Sequence, residues 1–225
     1  MFSWVMAGMG VCMLALAGVA LARGRAAGAA ALVVVLICLG LAYDNFAIAA
    51  GRPLGFGGTL EAVSAPRFWI HALLTPLLIV AGGLMAARLG VRWAASRPVA
   101  IAGGVLVVVL IAIGVFEDVL ELELAPETHE DLLRYTNEGT AGPPIPAIVT
   151  ILVLLALGVA IWRTAGSPWL CLGSIAMFAA AALGGSRPWL GNLGELALQV
   201  SVVATLVAAR TEVSPPRVRE SGGRT

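Results

Sequence analysis

The chain reads as an all-α integral membrane protein: a bundle of seven transmembrane helices, N-terminus outside and C-terminus cytoplasmic. Three observations predict this. Of 225 residues, 60% are hydrophobic and 12% charged, against roughly 45–50% and 25% in globular domains. Seven apolar stretches recur along the chain, each ended by Arg, Gly or Pro. The arginines are shared unevenly between alternate connections. A soluble protein of this size leaves too much area exposed to hide so much apolar surface, whereas a bilayer covers it.

A hydrocarbon core of roughly 30 Å takes about 20 helical residues to cross, and lipid demands a backbone whose polar groups are satisfied within the segment. Spans are expected near residues 2–22, 28–50, 68–89, 99–120, 145–162, 169–183 and 189–209, the sixth being the shortest. Together they make a transmembrane domain over 1–211. The first stretch is expected to be a retained span and not a secretory signal, because Arg23 and Arg25 follow it and no basic residue precedes it.

Arginine placement sets the orientation. With the N-terminus outside, Arg23, Arg25, Arg88, Arg92, Arg97, Arg163, Arg210, Arg217, Arg219 and Arg224 fall on the cytoplasmic side, which is ten of 14. Arg52, Arg67, Arg134 and Arg187 fall outside. All 14 basic residues are arginine and none is lysine, a usage that matches GC-rich coding. The expected location is a bacterial plasma (inner) membrane, crossed several times.

Composition also excludes. Without lysine there is no amine for a retinal Schiff base. The net charge of +1 and the lack of a basic, aromatic-rich patch argue against nucleic acid. Cys12, Cys38 and Cys171 lie in apolar runs with no CxxC or Cys/His spacing. No GxSxG, HExxH or histidine ladder occurs. Trp4, Trp69, Trp93, Trp162, Trp169 and Trp189 stand near span ends, as an aromatic belt places them.

Two segments lie outside the spans. Residues 212–225 are polar, with Pro215-Pro216 and Gly222-Gly223, and are expected to be a disordered cytoplasmic tail. Residues 117–142 hold eight carboxylates. Within them Thr128-x-x-Asp131 looks like a capping box ahead of Leu132-Leu133, so a short surface helix is expected in the outer loop 121–143.

Ionisable side chains at membrane depth are costly, so each needs a reason. At 1.5 Å per residue, Asp44 falls some 8–10 Å below the outer edge, His71 about 6 Å and Glu195 about 10 Å. Glu117 and Asp118 close the fourth span. Four helices thus bring charge to one layer near the outer face. Arg67, His71 and Thr75 are spaced by four along the third span, and Asn192, Glu195 and Gln199 follow one face of the seventh. Gly40 and Pro76 are expected to loosen the second and third spans.

The layer suggests an outward-facing polar pocket. In one reading it is an enzyme acting on a lipid or isoprenoid by carboxylate acid/base chemistry. Asp44, His71 and Glu195 would be catalytic, with Asn45, Arg67, Glu117, Asp118 and Asn192 contacting substrate. In the other reading it is a non-enzymatic transporter, sensor or assembly subunit, whose buried acids form structural ion pairs with Arg52, Arg67 or Arg187. No cofactor is required, and a divalent metal at Asp44, His71 and Glu195 is the lesser alternative. The expected partners are membrane lipid and a lipid or isoprenoid ligand.

In helix count and buried carboxylates the chain resembles the small seven-helix intramembrane terpene cyclases, and that resemblance implies acidic residues working without a metal. It departs from the seven-helix ceramidase and adiponectin-receptor superfamily, whose zinc is held by several histidines. Here the chain has two histidines and none in the seventh span.

Overall fold

The structure, a computed structural model, describes residues 1–24, 27–139, 142–184 and 187–211. Long apolar runs without polar backbone partners fold as helices, and these dominate. They are α1 (Phe2–Arg23), α2 (Ala29–Ala49), a short α3 (Gly51–Leu54), α4 (Gly58–Leu74), α5 (Leu77–Arg88), α6 (Arg97–Val115), α7 (Ile145–Ala165), α8 (Trp169–Leu183) and α9 (Pro188–Thr211). Six helices are long and apolar enough to cross a membrane, counting Gly58–Arg88 as one span; α8, with 15 residues, is shorter. The chain is therefore a largely helical membrane protein. The expected tail, 212–225, lies outside the described residues.

Helix ends follow local chemistry. Gly55 and Gly57, at φ 69° and 151°, occupy backbone that side chains disfavour and separate α3 from α4. Gly166 caps α7 in the left-handed conformation and donates its N–H to the Trp162 carbonyl. Pro76 cannot donate to the Ala72 carbonyl, so the third span breaks at Thr75–Pro76 into α4 and α5. The second span stays whole at Gly40, whose missing side chain admits Ile70 and Leu74: a Cβ there would stand 2.8 Å from Ile70.

The bundle packs through close backbone contacts. A Cβ on Gly158 would stand 2.5 Å from the Cys171 backbone, and one on Gly173 would stand 2.4 Å from Ser201, so α7–α8 and α8–α9 meet through small residues. Met13, Val34, Met85, Leu154, Leu170 and Leu206 fill the main core with essentially no exposure. In contrast α6 buries only Val107, Leu110 and Gly114, as suits a helix facing lipid.

Two expectations are corrected. The third span begins at Gly58, ten residues before the expected start. His71 is therefore thirteen residues, or roughly 20 Å, along α4, not one turn. Asp44 is only five residues from the end of α2, so the first turns of α4 rise well past α2.

The second correction concerns the loop 121–143, which holds no helix among its described residues. It forms an antiparallel hairpin, β1 (Leu124–His129) with β2 (Leu132–Asn137), closed by Glu130 and Asp131. Glu130 takes φ 55°, a conformation few non-glycine residues adopt. Asp131 caps a different element from the one its spacing suggests. Its carboxylate accepts the Phe2 N–H (2.8 Å) and the Ser3 N–H (3.3 Å), satisfying the free end of α1. Leu132 is fully buried with Met6, Met9 and Ile48, and Arg134 pairs across the strands with Glu127 at 2.6 Å. Burial holds the Arg134 guanidinium below its usual pKa, against the pull of Glu127. The hairpin thus sits on one end of the bundle, called here the hairpin end.

Candidate functional site

Beneath the hairpin, α2, α4 and α9 converge on Asp44. This carboxylate is 1% exposed and accepts a hydrogen bond at each oxygen. Arg67 Nε donates to its Oδ1 at 2.8 Å, and Asn192 Nδ2 donates to its Oδ2 at 2.9 Å. Arg67 also donates from Nη1 to the Tyr135 carbonyl at 3.3 Å, which ties the hairpin to the ion pair. Tyr135 is in turn packed edge-on against Phe56. Of the three arginines expected as partners, only Arg67 reaches Asp44. Arg52 stands near Asp131, at 3.8 Å.

His71, one turn after Arg67, bridges the ion pair to a second acid. Its Nε2 lies 3.5 Å from Asp44 Oδ1 and its Nδ1 lies 3.9 Å from Glu195 Oε1. Both ring nitrogens thus face carboxyl groups, and the longer separation leaves the His71–Glu195 contact without a closed hydrogen bond. Glu195 Oε2 is buried and has no hydrogen-bond partner.

His71 and Glu195 are the polar edge of a cavity of about 350 Å³. Its wall is mostly apolar, with Ile37, Leu41, Leu78, Ile151 and Leu198 among its lining. Pro144 and Ala181 line it and are exposed, so it opens beside the start of α7 and the end of α8. The break at Thr75–Pro76 lies on the wall through Thr75. The side chains of His71 and Glu195 are 32% and 21% exposed, against 2% for Asp44.

The remaining expected residues divide. Asp118 lines the cavity. It is brought there by a π turn, Phe116–Leu120, closed by the Glu121 N–H on the Phe116 carbonyl; such turns shift the phase of a helix and often occur at sites. Glu117, its neighbour, instead borders a shallow apolar groove with Val109, Phe116 and Ile145. Asn45 turns back on its own helix, donating to the Leu41 carbonyl at 2.8 Å, and does not line the cavity.

Sequence reasoning missed two contributors. Thr150 on α7 is fully buried, lines the cavity and has no partner for its hydroxyl. Cys38 directs its thiol at Gln199 Oε1, 3.9 Å away. Neither carries a spacing signal, because each is a lone polar group in an apolar run.

The side-chain donors of Asp44, His71 and Glu195 lie within 4.8 Å of one another, a reach compatible with a metal ion. Both Asp44 oxygens are already bonded, one of them to a guanidinium. A cation at that oxygen would meet the Arg67 charge, and only Glu195 retains an oxygen without a partner.

The chain matches no protein-family model, no curated protein and no solved structure.

Proposed function

We propose that the chain binds an apolar lipid or isoprenoid in this cavity and acts on it by proton transfer from the His71–Glu195 pair, without a metal. The observation that carries the reading is Glu195, which lines an apolar cavity and whose Oε2 is buried without a partner. An unsatisfied buried polar atom needs an explanation, and a ligand or a transferable proton supplies one. Glu195 delivers the proton to the bound molecule. His71, anchored by Asp44, stabilises the carboxylate that results and takes a proton when the pair is reset. Delivery and recovery of one proton is an isomerisation, and it needs no co-substrate.

In this reading Asp44 is no longer the general acid, because its two oxygens are occupied. It anchors the site, as a structural ion pair does. We further propose that α8 completes seven crossings and that the hairpin end faces outside, as the arginine bias favours. A Glu130→Cys variant of the hairpin turn then reacts with an impermeant maleimide on intact cells; reaction only after lysis reverses the orientation.

The test of function uses wild-type protein and Glu195→Gln, each purified in detergent and incubated with a panel of linear isoprenoids and host lipid extract. Products and co-purified lipids are read by mass spectrometry. Conversion by wild type and its loss, by about a hundredfold or more, in a folded Glu195→Gln supports the enzyme. A bound lipid that neither protein converts favours the non-enzymatic binding reading. No bound lipid and no conversion overturns both.

A further inference from the structure

The cavity wall carries a second unsatisfied group. The Thr150 hydroxyl on α7 is fully buried and unpartnered, as Glu195 Oε2 is on α9. Both residues line the same space. A threonine on a helix usually returns its hydroxyl to the carbonyl four residues back, as Thr205 does to Ser201 at 2.8 Å. Thr150 makes no such bond, and the residue four before it, Pro146, also lines the cavity. Leaving a buried hydroxyl unmatched costs stability, and a ligand with a hydrogen-bonding atom removes that cost. Asp118 and Glu195 are the acidic side chains that line the cavity, His71 is the basic one, and no arginine among the described residues does. Arg67 is turned away to Asp44 and Tyr135. A phosphate head would meet two carboxyl groups, with His71 the one base and already flanked by Asp44 and Glu195. A charged head of either sign would lose its hydration in a mostly apolar cavity.

We propose that the ligand is an uncharged apolar molecule with one oxygen function, an alcohol, ether or carbonyl, held between Glu195 and Thr150, and that phosphorylated isoprenoids are excluded. This rests on the reading of the cavity as an apolar ligand site and narrows it to a substrate class. Protonated Glu195 donates a hydrogen bond to the ligand oxygen, and the Thr150 hydroxyl donates a second one. Thr150 is a specificity-determining contact; it does not move the proton.

The experiment compares four molecules with one hydrocarbon tail: farnesol, farnesylamine, farnesyl diphosphate and the headless hydrocarbon farnesene. Their affinities for the full chain in lipid nanodiscs are measured by competition against a tritiated farnesol tracer, with direct binding for farnesol itself. Farnesol is expected to bind at least tenfold more tightly than the amine, the diphosphate or the hydrocarbon. Thr150→Val is nearly isosteric, so it leaves the fold intact and raises the melting temperature of the ligand-free protein slightly, by removing the orphan hydroxyl. It is expected to weaken farnesol about tenfold and leave farnesene unchanged, with Thr150→Ser restoring farnesol binding. Tighter binding of the diphosphate or the amine overturns the proposal. So does equal binding of farnesol and farnesene, or an unchanged farnesol affinity in Thr150→Val. Absence of binding by all four to wild type overturns the apolar-site reading beneath it, a result distinct from binding with the wrong head group.

Discussion

Two halves of one polar cluster differ in a way that separates holding from acting. On the hairpin side, Asp44, Arg67 and Asn192 complete each other's bonds, and the Tyr135 carbonyl takes a further Arg67 hydrogen. On the cavity side, His71 and Glu195 approach only to 3.9 Å, and an oxygen is left over. Each half holds a carboxyl group at one level of the bundle, Asp44 buried and Glu195 part-exposed, and they share His71. What differs is satisfaction. A buried charge whose bonds are complete has nothing to offer a ligand, and its removal is paid for in stability. An under-bonded one has a function or a cost without return.

The comparison breaks most visibly at the ion pair. Asp44→Ala leaves Arg67 buried and uncompensated, so it is expected to cost about 3–5 kcal/mol, read as loss of folded protein and a lower melting temperature in detergent. Arg67→Ala is expected to do the same from the other side. Exchanging both residues for apolar ones, Asp44→Leu with Arg67→Met, is expected to recover most of the loss, because no charge is stranded.

A smaller effect sharpens the part played by the hairpin. Leu132→Ala empties a fully buried position against Met6, Met9 and Ile48 and is expected to cost about 2–5 kcal/mol. Limited proteolysis reads it as cleavage near Glu130 and Asp131 before the bundle opens. Gly51→Ala acts at the same seam, because a Cβ there would lie 1.7 Å from the Leu133 carbonyl oxygen. If hairpin cleavage leaves the ion pair's stability unchanged, the tie through Tyr135 is not holding Arg67.

The smallest expected effect on stability falls on the cavity side. Glu195→Gln keeps the shape and replaces a carboxyl group whose Oε2 no hydrogen bond secures, so it is expected to shift stability by no more than about 1 kcal/mol.

The helices were legible because length and hydropathy report them directly, and the polar stripes because helical spacing puts Arg67 and His71, or Asn192 and Glu195, on one face. What one stripe meets on another helix is a matter of tertiary packing. The pairing of Asp44 with Arg67, and the separation of Asp44 from Glu195 by His71, are consequently absent from any single segment. The choice between Glu117 and Asp118 turned on a π turn of one extra residue, which no ideal period predicts.

The hairpin was hidden for another reason. Its two-residue turn, Glu130-Asp131, contains none of the glycine or asparagine that marks such turns. The Thr128-x-x-Asp131 spacing also imitates a helix start, while Asp131 satisfies α1 from more than a hundred residues away. Long-range capping of that kind leaves no local signature. The third span's early start has the same origin: Gly58–Leu74 is more polar than the other spans, and its first turns are held against α2, partly by Tyr43 donating to the Val63 carbonyl at 2.9 Å.

The most direct test of the division between lock and working pair is thermal unfolding of Asp44→Asn and Glu195→Gln in one detergent. Each exchange turns a carboxyl group into an amide and keeps the side chain's size. Asp44→Asn is expected to lose several kcal/mol, while Glu195→Gln unfolds within about 1 kcal/mol of wild type. Equal losses at the two positions would contradict this division.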